Sequence, residues 1–268
     1  MNDIEESLLF AKQVANRAGQ VMLQYFDTQM EQKIKEDEQL VTIADEKINQ
    51  LVINEVAKEY PNHSVFGEEA TVKKDSEFTW VCDPIDGTIP FSRGIPLSVF
   101  SLALVRDGEP IVGVAYDPFT KRLYSAAKNT GAYLNEKPIR VSNNKLRRHS
   151  IVNVEWWPDA EFDVQKPMHQ LSLDTNTYLV NLSCVINACC LVANGKYEAS
   201  IYTGSLGKNV DMAAVKIIVE EAGGKVTDLF GNNQRYDQDI KGAIVSNKIV
   251  HRTIIDYLEK SKSLLASI

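Results

Sequence analysis

Apolar residues recur at helical spacing along the first 25 residues of the chain. Side chains three and four positions apart form one stripe over about six turns, which predicts an amphipathic helix. The stripe consists of Ile4, Leu8, Ala11, Ala15, Ala18, Met22 and Tyr25. A polar stretch over residues 32–39 follows, and Thr42 is then a suitable N-cap for a second helix that ends before Pro61.

The period then changes from helical to extended. Residues 78–83 predict a buried strand, and the nearly continuous apolar run over residues 97–105 predicts a strand covered on both faces. Turn signals rich in Asp, Asn, Gly and Pro delimit two further strands, over residues 111–116 and 122–127. This part of the sequence predicts an antiparallel meander of short strands.

The second half alternates strands with helices, which indicates a layered α/β structure. The predicted strands cover residues 150–154, 177–182, 198–202 and 243–246, and the predicted helices cover residues 185–193, 210–222 and 248–265. The basic segment Lys145 to Arg148 lies between the halves, and no Pro-rich linker separates them. We therefore expect an N-terminal α+β half over residues 1–145 and a C-terminal α/β half over residues 146–268, joined by an extended interface.

Composition and charge narrow the class of protein. The 268 residues include 29 Lys and Arg against 36 Asp and Glu, giving a net charge of -7. This balance argues against general nucleic-acid binding, which needs a basic field, but an acidic enzyme can act on anionic substrates when metal ions neutralise its carboxylates. The sequence has no apolar run of membrane-spanning length and no Cys-x-x-Cys, and the acidic segment Met1 to Glu6 lacks the basic-then-apolar order of a signal peptide. We expect a cytoplasmic protein with reduced thiols and no membrane partner.

Three acidic clusters carry the candidate chemistry. The first is Gly67-Glu68-Glu69, the second runs from Asp83 to Thr88, and the third is Asp211 at the start of a predicted helix. In the second cluster, a buried strand ends at a carboxylate, and Pro84 turns the chain so that the carbonyl of the next residue is exposed.

The rest of the second cluster adds a second carboxylate and a helix start. Asp86 returns beside Asp83, and Gly87 lets the backbone approach a bound group. Thr88 begins a short helix, whose free N–H groups favour phosphate. Since oxygen ligands of this kind suit Mg²⁺, the cluster predicts phosphoryl hydrolysis.

Each acidic cluster also has a structural interpretation. Asp-Pro is a common turn former, Glu68-Glu69 reads as a solvated charge pair, and Asp211 favours a helix N-terminus through the helix dipole. The functional interpretation depends on all three acidic clusters occurring in one chain.

Four segments resemble, in the same order, the signatures of the inositol monophosphatase family. They are Leu40 to Asp45, Phe66 to Glu69, Trp80 to Thr88, and Val210 to Ala214 with the following Glu221-Ala222-Gly223-Gly224. The resemblance spans nearly the whole chain, and four ordered segments are far more specific than one short motif. It implies a five-layer αβαβα sandwich, Mg²⁺-dependent hydrolysis of a small phosphate monoester, lithium sensitivity and a homodimer.

The resemblance also implies a ligand set. Glu68, Asp83 and the Ile85 carbonyl would hold one Mg²⁺, and Asp83, Asp86 and Asp211 would hold a second. A third, weaker ion would rest on Glu68 and waters, so two to three ions are expected.

The resemblance further implies which residues act on water and substrate. Thr88 and Asp45 would form a pair that orients and deprotonates the attacking water. The backbone N–H groups of Gly87 and Thr88, next to Asp86, would receive the phosphate. The residues expected to line the substrate pocket are Ser183, Cys184 and Val185, where the family often has Gly-Thr-Ala.

Departures from the family pattern leave the substrate open. Pro90 stands where the family usually has Asn, Val210 where it has Trp, and Val215 where it has Gly. Inositol 1-phosphate is the first expectation. Histidinol phosphate, fructose 1,6-bisphosphate, NADP and adenosine 3′,5′-bisphosphate are alternatives handled by similar folds.

Two other classes of function remain as alternatives. A haloacid-dehalogenase-type phosphatase would need Asp-x-Asp-Gly-Thr, whereas two residues separate Asp83 from Asp86 here. A non-catalytic, metal-binding relative would bind Mg²⁺ without releasing phosphate.

Overall fold

The computed structural model describes residues 3–28, 32–34, 40–157, 160–203 and 209–265. The helices are α1 (Asp3–Tyr25), α2 (Ile43–Glu59), α3 (Thr88–Ser92), α4 (Gln165–Thr175), α5 (Val185–Ala193), α6 (Ala213–Glu221) and α7 (His251–Leu265), with a 3-10 turn at Asn209–Asp211. Within those ranges, no helix combines the length and apolarity needed to cross a membrane.

The strands form a short hairpin and two larger sheets. The hairpin pairs β1 (Gln32–Ile34) with β2 (Leu40–Thr42). The first large sheet contains β3 (Ser64–Gly67), β4 (Thr71–Val72), β5 (Phe78–Asp86), β6 (Val99–Arg106), β7 (Glu109–Asp117), β8 (Arg122–Ala127), β9 (Gly131–Leu134) and β10 (Lys137–Pro138). The second contains β11 (Ile151–Glu155), β12 (Tyr178–Val180), β13 (Ala199–Thr203), β14 (Lys225–Thr227) and β15 (Gly242–Ser246).

The strand order confirms the predicted meander. The first large sheet runs β10-β9-β8-β7-β6-β5-β3-β4, and each strand from β5 to β9 pairs antiparallel with the next one along the chain. β3 is parallel to β5, which brings the ends of these two strands to the same edge. The second sheet is mixed, in the order β12-β11-β13-β15-β14.

Helices and sheets alternate in five layers, as expected for the αβαβα sandwich. α1 and α2 pack on one face of the first large sheet, and α5 and α6 pack between the two sheets. α4 and α7 cover the outer face of the second sheet. The division at residue 145 stays a prediction.

The first two helices are observed where the spacing of hydrophobic residues predicts them. In α1 the side chains of Ala11, Ala15, Ala18 and Met22 are fully buried against the sheet. Thr42 is the N-cap of α2, as predicted, because its hydroxyl accepts a hydrogen bond from the Ala44 N–H (3.2 Å).

β5 differs from its prediction, because it continues beyond Asp83 to Asp86. Asp83 pairs with Ser101 and Asp86 with Val99, so three steps along β5 oppose two along β6. Pro84 lies within this irregularity, where the missing N–H interrupts the fewest ladder bonds.

Two helices of the second half differ from the sequence prediction. The helix predicted over residues 210–222 is divided into the 3-10 turn and α6. α4 has no counterpart among the predicted elements, since it buries only a short apolar set, Pro167, Met168 and Leu171, and lacks a continuous stripe.

Candidate active site

The acidic clusters meet at the carboxyl end of β5. Asp83 and Asp86 are both buried in this strand. Because Gly67 of β3 pairs with Cys82 of β5, Glu68 follows directly beside Asp83, and its N–H donates to the Cys82 carbonyl (3.2 Å). The 3-10 turn that ends at Asp211 packs against β5 from the second half of the chain.

Burial and neighbouring charges perturb the two carboxyl groups of β5 strongly. Burial raises the pKa of Asp83 well above its usual range, and the charges of Glu68, Asp211 and Asp86 raise it further. Asp83 and Asp211 are joined by a hydrogen bond between their side chains, which requires a shared proton. Burial, followed by the charge of Asp211, raises the pKa of Asp86 to about 7.

The donor set fits a hard divalent cation. Oδ1 of Asp83 is buried without a hydrogen-bond partner, and a buried group of like charges is stabilised by a counter-ion. Carboxylate and carbonyl oxygens are the ligands that Mg²⁺ prefers. Among the residues described, however, no three His, Cys, Asp or Glu side chains already form a ligand group. Asp83 and Asp211 instead contact each other, and Asp86 turns towards α5.

Asp86 closes the N-terminus of α5. Its Oδ2 accepts the Ile186 N–H (2.6 Å) and the Cys184 thiol (2.9 Å), and its Oδ1 accepts the Val185 N–H (3.2 Å). Burial raises the pKa of the Cys184 thiol, so the thiol remains a proton donor. Two of the predicted pocket residues, Cys184 and Val185, therefore contact a predicted metal ligand.

Gly87 brings the backbone of the same region close to the β12–α5 connection. Its φ is +81°, a left-handed conformation, and a Cβ here would lie 3.1 Å from the Ser183 carbonyl oxygen. Gly87 leads into α3, and Pro90 is buried at the third residue of that helix, within the turn whose N–H groups have no helical partner. The predicted phosphate-side residues Gly87 and Thr88 thus lie at the start of α3, opposite Ser183.

Thr88 and Asp45, the pair expected to act on water, do not hydrogen-bond to each other. The Thr88 hydroxyl donates to the Ile85 carbonyl (3.0 Å). Oδ2 of Asp45 accepts the N–H (2.8 Å) and the hydroxyl (2.5 Å) of Thr42, while its Oδ1 is buried without a partner. Burial raises the pKa of Asp45 to about 7, and the nearby charges of Glu68 and Glu69 contribute, so Asp45 belongs to the same acidic region.

Sequence reasoning did not identify Asn49, which orders the Glu68 turn. Asn49 is buried, its amide donates to the Ala70 carbonyl (3.1 Å), and its Oδ1 accepts the Glu69 N–H (3.2 Å). Its position four residues after Asp45, on the same face of α2, was the available signal.

Glu155 was also missed. It is a buried carboxylate at the end of β11, and its charge contributes to the raised pKa of Asp86. The alternation of Val152 and Val154 with the polar Asn153 and Glu155 was the available signal, because it places both polar side chains on one face of the strand.

Comparison with known proteins finds the same likeness along the whole chain. A model of the inositol monophosphatase family matches residues 3–263. Inositol monophosphatase 1 of Solanum lycopersicum is 30% identical, and the alignment covers 97% of each chain. A histidinol-phosphatase of Chlorobaculum parvum is 31% identical over 92% of this chain and 95% of that protein. The structure of an IMPase from Thermotoga maritima matches with a TM-score of 0.86 at 26% identity, over 95% of this chain and 97% of that one.

Proposed function

The chain belongs to the inositol monophosphatase family, and we propose that it hydrolyses a small phosphate monoester, first of all inositol 1-phosphate, with two to three bound Mg²⁺ ions. Its enzyme class, phosphoric monoester hydrolase, follows from the family and from relatives named as phosphatases. The observation that carries the proposal is the convergence of Glu68, Asp83, Asp86 and Asp211 at the end of β5.

In this proposal the acidic residues divide between two principal ions. Glu68, Asp83 and the Ile85 carbonyl would hold one, Asp83, Asp86 and Asp211 would hold another, and Glu68 would hold a third. Bound Mg²⁺ would supply positive charge against the phosphate dianion and lower the pKa of a bound water.

Thr88 and Asp45 act on the attacking water. Thr88 orients it, and Oδ1 of Asp45, which has no partner, is the acceptor for its proton. A carboxyl group with a pKa of about 7 suits a general base near neutral pH. The N–H groups at Gly87 and Thr88 bind the phosphate, and Ser183, Cys184 and Val185 face the alcohol part of the substrate.

Removal of one metal-ligand charge tests the acidic site. We expect Asp83→Asn and Asp211→Asn each to lower kcat for phosphate release by about a hundredfold or more at saturating Mg²⁺, because position and charge are lost together. Asp117→Asn is a matched control, since Asp117 is also a buried aspartate but caps a turn, accepting the N–H groups of Phe119 and Thr120.

Wild-type turnover in both ligand variants would contradict the assignment, as would wild-type activity that does not require a divalent cation. Binding of Mg²⁺ without phosphate release by the wild type would favour a non-catalytic, metal-binding relative.

The role of Thr88 is tested separately. We expect Thr88→Ala to bind Mg²⁺ normally, measured by calorimetry, while kcat falls by about a hundredfold. Thr88→Ser retains the hydroxyl and should retain most of the activity. An unchanged rate in Thr88→Ala would show that this hydroxyl does not act on the water.

The substrate is tested by a panel of phosphate monoesters ranked by kcat/KM. Histidinol phosphate is the second candidate, because the histidinol-phosphatase relative matches over nearly the whole chain. The panel also includes fructose 1,6-bisphosphate, NADP and adenosine 3′,5′-bisphosphate.

We also propose a cytoplasmic homodimer whose activity is inhibited by lithium. Analytical ultracentrifugation tests the dimer, and a lithium titration at fixed Mg²⁺ tests inhibition. A monomeric active enzyme would overturn the first proposal, and activity unchanged by lithium would overturn the second.

A further inference from the structure

Glu155 holds the loop of residues 181–184, which joins β12 to α5. Its Oε1 accepts the Leu182 N–H (3.1 Å), and the nearby N–H groups of Ser183 and Cys184 lower the pKa of this carboxylate against the larger effect of burial. The Ser183 N–H itself donates to Oδ1 of Asn181 in the same loop (2.8 Å). Glu155 lies at the end of β11 and is only 5% exposed. A buried carboxylate that accepts one backbone N–H of a loop and lies close to the next two restricts the path of that loop.

Asn153 reinforces the same attachment. Its Oδ1 accepts the Leu182 N–H (3.0 Å), and its amide donates to Glu155 Oε1 (3.3 Å) and to the Ser200 hydroxyl (3.1 Å). The Leu182 N–H is therefore shared between two buried side chains of one strand. The loop is anchored to β11 at its first half.

The loop needs this anchor because its backbone is strained. Ser183 has a φ of +55°, a conformation that costs a non-glycine residue free energy and persists only when its surroundings hold it. The other half of the loop is held from the opposite side by Asp86, which binds the Cys184 thiol and the N–H groups of Val185 and Ile186. The backbone N–H groups of the loop and of the start of α5 thus lie between two buried carboxylates, Glu155 of the second large sheet and Asp86 of the first.

We propose that Glu155 is a positioning residue that determines which alcohol the enzyme accepts. It fixes the loop that presents Ser183, Cys184 and Val185 to the substrate. This rests on the proposed function, since the loop is a substrate wall only if the acidic site hydrolyses phosphate esters. Asp86 is also held by its own strand, β5, so loss of Glu155 displaces the loop while the acidic site keeps its backbone support.

Glu155→Gln is the direct test. The substitution keeps the shape of the side chain but replaces one acceptor oxygen by an NH₂ donor, which cannot accept the N–H groups of the loop. We expect KM for inositol 1-phosphate to rise by about tenfold to a hundredfold, because a small displacement of a positioning contact is enough. KM for p-nitrophenyl phosphate, which carries no ring hydroxyls, should stay within a factor of about two, and so should the half-saturating Mg²⁺ concentration.

Glu198→Gln is the matched control. Glu198 is equally buried next to the other end of the same pair of strands, and it accepts the Ile151 N–H (2.7 Å) and the Asn144 amide (3.1 Å). It should lower the melting temperature without changing the ratio of KM values for the two substrates. If Glu155→Gln does not fold, Asn153→Ala removes the second acceptor of the Leu182 N–H and should change the ratio in the same direction.

Hydrogen exchange separates the loop from the reaction. The amides of residues 182–186 should exchange faster in Glu155→Gln than in the wild type and in Glu198→Gln. An equal loss of kcat/KM for both substrates, an unchanged KM ratio or a shift confined to Mg²⁺ would overturn the proposal. If the wild type hydrolyses no phosphate ester, the proposed function fails. In that case, amide exchange in Glu155→Gln that equals the wild-type exchange would also overturn the anchoring role of Glu155. Faster exchange in Glu155→Gln would support the anchoring role, and the effect on specificity would fail with the proposed function.

Discussion

At Gly67, the missing side chain determines where Glu68 lies. A Cβ at this position would overlap Oδ1 of Asn49 and lie 2.7 Å from the Ala70 carbonyl oxygen. Asn49 occupies that space because its amide group orders the turn that follows β3, through its bonds to Glu69 and Ala70. The position of a proposed metal ligand thus depends on close contact between a helix and a strand end.

We expect Gly67→Ala to lower the free energy of unfolding by about 1 to 3 kcal/mol, measured by urea titration, because it overpacks this contact. It should also raise the half-saturating Mg²⁺ concentration by moving Glu68. The double variant Gly67→Ala, Asn49→Ala should lose less stability than the sum of the single variants, since the obstructing amide is gone. Strict additivity would contradict the proposed contact.

Glu68, Asp83 and Asp86, which the sequence analysis singles out, lie close together because they adjoin strands whose ends the topology places together. Their role as metal ligands stays a prediction. Sequence alone did not predict the partner of Asp45. Thr42 lies only three residues before Asp45, and the two residues form a capping box. Asp45 therefore accepts the hydroxyl of Thr42 and does not bond to the sequence-distant Thr88. Residues such as Asn49 and Glu155 were missed because they act on backbone N–H groups, which leave no motif.

At the scale of elements, the N-terminus of α2 combines a structural and a proposed catalytic role. The Thr42 hydroxyl caps the helix and donates to Asp45, and both side chains are buried. Donation from Thr42 lowers the pKa of Asp45 against the larger effect of burial.

We expect Thr42→Ala to lower the free energy of unfolding by about 1 kcal/mol through loss of the cap. It should also raise the pKa of Asp45 and move the acidic limb of the kcat/KM profile to higher pH. Thr42→Ser, which keeps the hydroxyl, is the control and should retain both properties. A pH profile that is unchanged in Thr42→Ala would show that Asp45 does not limit the reaction.

A buried histidine joins α7 to two strands of the second sheet. The Thr227 hydroxyl donates to the Asp228 carbonyl (2.8 Å) and lies 2.9 Å from Nε2 of His251, so Nε2 carries the proton. Nδ1 then accepts from the Ser246 hydroxyl (2.8 Å). Burial, followed by the charge of Lys225, lowers the pKa of His251 to about 4.

Since the unfolded chain binds a proton at His251 more readily than the folded chain, stability falls as the pH falls from about 6.5 towards 4. We expect this histidine to account for about 1 to 2 kcal/mol of the loss between pH 7 and pH 5, after allowance for partial solvation. Urea titrations of His251→Gln should show a shallower pH dependence. His169→Gln, which changes an exposed histidine, should behave as the wild type, and equal slopes in all three proteins would contradict the prediction.

Elements bounded by clear turn signals were predicted better than the shortest ones. α5 and β8 have the predicted limits, because Asn194-Gly195 ends α5, and β8 lies between Asp117-Pro118 and Asn129-Thr130-Gly131. The strands β4 and β10 have two residues each, too few to show a period, and they form because a neighbouring strand offers an edge.

At the scale of the whole molecule, one core joins the two large sheets. Side chains of the first sheet such as Tyr124, of α6 such as Ile218, and of the second sheet such as Val245 belong to the same buried cluster. The two large sheets are therefore joined through buried side chains of α5 and α6. The alternation of strands and helices predicted a layered structure, and the family resemblance implied five layers. The placement of α5 and α6 between the sheets depends on contacts distant in sequence.

We expect Ile218→Ala to lower the free energy of unfolding by about 2 to 5 kcal/mol, because it opens a cavity in this shared core. Both sheets should lose stability together. Trp80 reports on the first sheet, and Trp156 and Trp157 report on the second. In variants that keep only Trp80 or only Trp156 and Trp157, the fluorescence-detected unfolding transitions should coincide. Leu173→Ala changes an exposed side chain of α4 and is the control. Separate transitions would mean that the halves unfold independently.

The irregularity in β5 has a consequence for insertions and deletions. Residues three apart in a regular strand point to opposite faces, so Asp83 and Asp86 would be separated by the thickness of the sheet. The one extra residue on β5 returns the two aspartates to the same face of the sheet and places the Ile85 carbonyl between them along the strand. The length of the segment between the two aspartates is therefore as constrained as their identity, and adding one residue there should disable the site even if every side chain is kept.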